Sequence, residues 1–175
     1  DRLVSRGLGD VYKRQLRQLS DQIQDPFLSA IIVGKYHRAM ELKTELALDP
    51  ESWMSNIGHS SRSEKIVTIL GNLLENALEA SASSGEQKKV CLSMTDVGNE
   101  LIFEVEDSGS GISEDQQKSI FDEGFTTKTG TGRGIGLQLV QKNLIQLEGH
   151  LTVGESSLGG ARFTAYIPKT VSKAV

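Results

Sequence analysis

Hydrophobic residues recur at helical spacing from about Glu64 to Ser81, where Ile66, Ile69, Leu70, Leu73, Ala77 and Leu78 make one apolar stripe. Ser61-Arg-Ser-Glu64, just upstream, has the hydroxyl-then-carboxylate spacing of a capping box. Leu16, Leu19 and Ile23 also share a helical spacing. Asp25-Pro26 then reads as a cap followed by proline at the first helical position, opening a helix through Leu28, Ile31, Ile32 and Ala39 toward Leu42. Thr44 to Leu48 alternates weakly, as a short edge strand would, and ends at Asp49-Pro50. Val90, Leu92 and Met94 alternate across Lys89 to Thr95, and Leu101, Phe103 and Val105 alternate on a returning strand, with Gly98-Asn99 as the hairpin signal. Ser83-Ser-Gly-Glu-Gln is a loop. Ser113-Glu-Asp-Gln116 caps a short helix ending near Phe121. A last helix, about Ile135 to Glu148, turns Leu139, Val140, Leu144 and Leu147 inward and stops at Gly149. Leu151-Thr-Val153 and Arg162 to Ile167 are closing strands on either side of Gly159-Gly160. The first fifteen residues show no clear pattern and read as a fragment end or non-native sequence.

Composition narrows the function classes. The 175 residues suffice for one domain with a real core plus a small appendage. A net charge of −4 gives no general attraction to nucleic acid or anionic membrane, so any anion must be held by local geometry. The single cysteine, Cys91, forms no internal disulfide and no metal spacing, which suits a reducing interior. The longest apolar run, Phe27 to Val33, is too short to span a bilayer, and no signal peptide opens the sequence. Eighteen glycines stand against three prolines, and they cluster between Gly109 and Gly136.

Three local features invite chemistry. Asn72 and Asn76 lie one turn apart on the flank of the apolar stripe, where a plain surface helix would place better helix formers. Asp107 has the parity of Leu101, Phe103 and Val105, so a carboxylate ends a core-facing run; buried charge is costly unless it is hydrogen-bonded. Gly109 and Gly111 follow it and allow close backbone approach. The segment from Gly124 to Gly136 has glycine at 130, 132, 134 and 136 and feeds a helix start, an arrangement of free N–H groups and positive dipole suited to phosphate. The P-loop pattern is absent, since Lys128 has no glycine before it. The glycines run G-x-G-x-G, so the dinucleotide fingerprint fails too.

The ordered set resembles the catalytic, ATP-binding domain of bacterial sensor histidine kinases, in the superfamily shared with gyrase B, Hsp90 and MutL. Asn72-Leu-Leu-Glu-Asn-Ala-Leu-Glu-Ala80 resembles the N box, and Asp107-Ser-Gly-Ser-Gly111 the G1 box. Ile120-Phe-Asp-Glu-Gly-Phe-Thr-Thr-Lys128 resembles the F box, and Gly132-Arg-Gly-Ile-Gly-Leu137 the G2 box. The wording is nearest to the citrate and C4-dicarboxylate sensor kinases, and the resemblance covers roughly residues 42–169. It implies a GHKL/Bergerat ATP-binding fold: a two-layer α/β sandwich, with three helices on one face of a mixed sheet and a nucleotide lid beyond the pocket. It implies that Asp107 accepts a hydrogen bond from the adenine amino group, that Asn76 ligates Mg²⁺, and that Asn72 lies near the phosphates. Gly109 and Gly111 then pass the adenine, Thr126, Thr127 and Lys128 belong to the lid, and Gly132, Gly134, Gly136 and Leu137 wrap the phosphates. Thr164 is expected to support Asp107 or a water beside the adenine, and Arg133 to be a solvated lid charge, the alternative being a contact to the γ-phosphate or a partner. ATP-hydrolysing branches of the superfamily carry a glutamate where this chain has Asn72. An amide cannot take a proton at neutral pH, and Glu75 lies roughly 100° round the helix, so ATP should be held without efficient hydrolysis.

The resemblance further implies a phosphoacceptor histidine, but the surroundings of His37, His59 and His150 do not read as such a site; a surface helix, a loop and a strand start are expected for them in turn. Residues 1–41 resemble the tail of a dimerisation and phosphoacceptor module, with the catalytic domain at 42–175. The expected function is transfer of the γ-phosphoryl of Mg²⁺-bound ATP to a histidine on a missing upstream module. The implied partners are that acceptor helix and a response regulator, with no nucleic acid. The implied parent is a homodimer in the bacterial inner membrane, and this piece a monomeric cytoplasmic fragment. The alternatives are a GHKL serine kinase of the anti-sigma type and a non-catalytic ATP-binding regulatory module.

Overall fold

The structure, a computed structural model, describes residues 2–85, 87–120 and 133–170. In chain order its elements are α1 (Arg2–Gln22), α2 (Pro26–Glu41), β1 (Glu45–Leu48), α3 (Ser61–Ala82), β2 (Lys89–Thr95), β3 (Glu100–Asp107), α4 (Glu114–Ser119), α5 (Arg133–Gln146), β4 (His150–Glu155) and β5 (Ala161–Pro168). The five strands form one sheet in the order β1-β2-β3-β5-β4. β1 runs parallel to β2 and the other neighbours are antiparallel, so the sheet is mixed.

Strand alternation decides which face is covered. Val90, Leu92 and Met94 of β2 lie on the same face as Leu101, Phe103 and Val105 of β3 and Phe163, Ala165 and Ile167 of β5, and all are buried. The helices α2, α3 and α5 supply the other half of the core, through Leu28, Ile32 and Tyr36, through Ile66 to Leu78, and through Val140 and Leu144. Full burial of each such side chain stabilises by about 1.5–3 kcal/mol before the entropy of ordering is subtracted.

Local signals set the helix ends. Asp25 caps α2 as expected: one carboxylate oxygen accepts from the N–H groups of Phe27 and Leu28, both at 2.9 Å, and the other accepts from Ile57 N at 3.0 Å. The box opening α3 differs from expectation. Ser60 is the cap and exchanges hydrogen bonds with Ser63, whereas Ser61 is already helical, so the Ser61/Glu64 pair is not the box. Gly149 does follow α5, but the left-handed residue is Glu148, with φ at 57°. Glycine is needed at 149 because a Cβ there would sit 2.4 Å from the Tyr166 carbonyl oxygen. Leu139, expected inward, is 37% exposed; the inward side of α5 carries Val140, Asn143 and Leu144.

The sheet edge at β1 is covered by α1. The side-chain amides of Gln15, Gln18 and Gln22 donate to the carbonyls of Leu46, Leu48 and Asp49 at 3.2, 2.8 and 3.1 Å, satisfying acceptors that an edge strand otherwise leaves open. None of the described helices is long and apolar enough to cross a membrane.

Candidate functional site

Three residues on one side of α3, Asn72, Asn76 and Ala80, mark the site at steps of four residues, or about 6 Å each at the helical rise. Both asparagines are half-buried. The side-chain nitrogen of Asn72 donates to Thr68 O at 2.8 Å, which leaves its oxygen toward the first turn of α5. There a Cβ on Gly136 would lie 3.2 Å from Asn72 Oδ1 and 3.6 Å from the amide oxygen and nitrogen of Asn76. The two carboxamides therefore converge on the N-terminal turn of α5, whose backbone N–H groups and dipole favour an anion.

One turn further along α3, the loop after β3 crosses Ala80. A Cβ on Gly109 would lie 2.9 Å from Ala80 Cβ and 3.0 Å from its carbonyl oxygen, so glycine is required by the close approach. Asp107 is 3% exposed, as its core-facing parity requires. Its Oδ1 accepts from Gly109 N at 2.9 Å and Ala161 N at 3.1 Å, and its backbone carbonyl accepts from Gly160 N at 3.1 Å. These donors compensate the desolvation of the carboxylate. Gly111 takes a φ of +76° in the same loop. A cavity of about 640 Å³ opens beside this turn, lined by Gly111, Ile112, Ser113, Glu155 and Gly160 among others.

Thr164 does not support Asp107. β5 pairs Thr164 with Glu104, and its hydroxyl donates to Glu104 Oε2 at 3.2 Å, on the sheet face opposite to Asp107. The β5 residue that reaches Asp107 is Ala161, and it does so through its backbone N–H. Sequence reading also passed over Gly160, where a Cβ would fall 2.1 Å from Asp107 Oδ1, and Ser108, which fastens the turn. Ser108 N donates to Ser81 Oγ at 3.1 Å, and Ser108 Oγ donates to Gln87 O at 2.8 Å while accepting from Lys89 N at 2.9 Å. The only sequence signal for these roles was the Gly159-Gly160 pair, since backbone donors carry no side-chain signature.

Glu75 is turned away from the asparagines toward α2. Its carboxylate accepts from Lys35 Nζ at 2.8 Å and Arg38 Nε at 3.0 Å. Burial pushes the Glu75 carboxyl up, but the hydrogen bonds and charges of Lys35 and Arg38 outweigh it and hold the group below its usual range. The hydrogen bond to Glu75 likewise raises Arg38.

Thr126, Thr127, Lys128 and Gly132 lie outside the described residues. Gly134, Gly136 and Leu137 fall in the first turns of α5, with Leu137 partly buried against the core. Arg133 opens α5. His37, His59 and His150 are exposed on α2, a loop and the start of β4. His59 stacks on Phe27 and His150 on Tyr166, with ring centroids 4.8 and 4.7 Å apart. Among the described residues no His, Cys, Asp and Glu cluster could hold a metal ion by itself.

The Asp107 carboxylate at the end of β3 and the Asn72 and Asn76 carboxamides of α3 thus lie along one side of α3, beside a glycine-bearing turn and a facing helix N-terminus. The family model of the histidine kinase-, DNA gyrase B- and HSP90-like ATPases matches residues 61–171, and the chain belongs to that family. Over 154 residues it is 46% identical to the sensor protein CitS of Halalkalibacterium halodurans, covering 87% of this chain and 29% of CitS. Over 158 residues it is 34% identical to the sensor histidine kinase DcuS of Escherichia coli, covering 90% of this chain and 28% of DcuS. The chain thus spans less than a third of these relatives. Among solved structures, full-length ShkA in complex with AMPPNP superposes with a TM-score of 0.67 at 26% identity, covering 85% of this chain and 30% of ShkA. The catalytic domain of the histidine kinase ThkA shares the fold, with a TM-score of 0.68 at 24% identity over 82% of this chain and 90% of that domain.

Proposed function

We propose that the chain binds ATP with Mg²⁺ and supplies the γ-phosphoryl group to a histidine on a separate helical module, as the catalytic part of a two-component histidine kinase. The observation that carries this reading is the alignment along α3: Asp107 and Gly109 gather over Ala80, and Asn72 and Asn76 converge on Gly136. Asp107 would receive the adenine amino group, while Asn72, Asn76, Gly134 and Gly136 would face the phosphates. Thr126, Thr127, Lys128 and Gly132 are proposed lid and phosphate contacts.

The chemistry of the donor set fits Mg²⁺. A hard cation needs few protein ligands when phosphate oxygens and water supply the rest, and an amide oxygen from Asn76 facing Gly136 meets that need. Bound there, Mg²⁺ would neutralise charge on the phosphates. No proton acceptor stands at position 72: the Asn72 amide donates to Thr68 O, and an amide is not a base at neutral pH. Glu75 is engaged with Lys35 and Arg38. The site therefore positions ATP for a nucleophile from elsewhere, and transfer rests on orientation and charge neutralisation.

Residues 1–41 are read as the tail of the dimerisation and phosphoacceptor module, in a homodimeric parent anchored in the bacterial inner membrane, with a response regulator downstream. The test is transfer of label from γ-labelled ATP to a separately produced acceptor-helix domain. Label on the acceptor histidine that disappears with Asp107→Asn supports the kinase reading. ATP binding without transfer would reduce the chain to a regulatory nucleotide binder.

A further inference from the structure

α2 and α3 meet in a register tied to the candidate site. Among the α3 residues that face α2 are Gly71 and Glu75, each immediately before one of the two site asparagines. A Cβ on Gly71 would come within 3.4 Å of the Ile31 side chain. Glu75 receives Lys35 at 2.8 Å and Arg38 at 3.0 Å. Ile31, Lys35 and Arg38 follow one another at helical spacing on α2, so one stripe of α2 lies on the helix side adjoining the asparagines. The contact is partly shielded: the side chains of Lys35, Glu75 and Arg38 are 17%, 30% and 38% exposed. Arg38 is itself braced by Glu41 at 3.2 Å.

A helix is stiff against twisting over one turn, so whatever fixes the direction of Glu75 also fixes that of Asn76, about 100° away. Ion pairs this exposed add little to overall stability. Their geometric effect differs: the shared apolar core of α2 and α3 is non-directional, whereas a carboxylate held by two cations from one helix has a defined direction. We propose that the Lys35–Glu75–Arg38 cluster is a positioning device that sets the angle of Asn72 and Asn76, making Glu75 a positioning residue for the phosphate end of the site and α2 the element through which upstream movement reaches the nucleotide. This rests on the ATP-Mg²⁺ reading above.

The prediction is selective. The Asp107 carboxylate accepts from Gly109 N and Ala161 N, which belong to neither α2 nor α3, so these bonds at the adenine end do not run through Glu75. Loss of the cluster should therefore weaken the Mg²⁺-dependent part of ATP binding and spare the rest. The experiment measures ATP affinity of the whole chain by calorimetry, with Mg²⁺ and with EDTA, for wild type, Glu75→Gln, the double variant Lys35→Met/Arg38→Met and the triple combination. The expected result is about a fivefold or greater loss of Mg²⁺-ATP affinity in each variant. Binding in EDTA should change less than about twofold, and the triple variant should lose no more than either parent, because both remove the same interaction. Equal losses with and without Mg²⁺, or a lowered melting temperature with unchanged Mg²⁺-ATP affinity, would make the cluster merely structural and overturn the proposal. Two independent routes to the same loss protect the outcome against one badly folded variant. If the wild type binds no ATP, the functional reading falls and takes this inference with it; if it binds and the variants match it, only the inference falls.

Discussion

Gly160→Ala is the sharpest test of how the Asp107 end is built. The new methyl would sit 2.1 Å from Asp107 Oδ1, 2.5 Å from Gly109 N and 2.6 Å from Asp107 O. Two of those atoms are backbone, and Asp107 is the last residue of a paired strand, so no flexible side chain can yield. Relief requires the start of β5 to withdraw, which strains or breaks three hydrogen bonds: Gly160 N to Asp107 O, Ala161 N to Asp107 Oδ1 and Gly109 N to Asp107 Oδ1. A neutral bond contributes about 1 kcal/mol and one to a charged group about 1.5–3, so loss of all three would cost about 4–7 kcal/mol; partial relaxation lowers this to about 3–5. At this chain length each kcal/mol moves the melting temperature by about 2–4 °C, so a fall on the order of 10 °C is expected, together with loss of nucleotide binding. Gly159→Ala is the control. It has a φ of +97° with nothing within 4 Å of its would-be Cβ, so it incurs only backbone strain of about 1–3 kcal/mol and should leave nucleotide affinity intact. A Gly160→Ala protein that melts within about 2 °C of wild type and binds ATP normally would refute the account of the Asp107 turn.

Other outcomes can be checked separately. Asp107→Asn should keep the fold, with circular dichroism unchanged, and lose ATP affinity by at least about tenfold, because an amide donor would meet the adenine amino group. Asn76→Asp should alter the Mg²⁺ dependence of ATP binding in a titration of the metal, and an unaltered dependence would remove Asn76 from the phosphate end. The purified chain should hydrolyse ATP only marginally and take up no label from γ-labelled ATP; label on His37, His59 or His150 would contradict the surface roles assigned to them. The depressed Glu75 carboxyl gives a sign for pH: its contribution to stability is present above the ordinary glutamate range near 4.5 and is lost as pH falls through its lower folded value. The melting temperature of wild type should therefore fall more steeply than that of Glu75→Gln on acidification below about pH 4.5, and parallel curves would show that the cluster adds nothing measurable to stability.

The elements themselves were written in local pattern. Period-two alternation located β2 and β3, the stripe from Ile66 to Leu78 located α3, and Asp25-Pro26 located the start of α2, because each depends on near neighbours and on which side meets the core. The inward parity of Asp107 and the flanking position of Asn72 and Asn76 were legible for the same reason. Errors arose where the deciding partner is distant in sequence. Thr164 is defined by its cross-strand neighbour Glu104, and Leu139 by where α5 meets the core. Gly149 is defined by the approach of Tyr166, and no alternation rule contains those distances. Likewise the motif around Asn76 includes Glu75, but only the packing of α2 shows that its carboxylate belongs to Lys35 and Arg38. Sequence thus determined which side chains could face a ligand, since periodicity is a property of the chain alone. Tertiary structure decided which backbone groups hold them, because hydrogen bonds such as Ala161 to Asp107 exist only once strands far apart in the chain lie side by side.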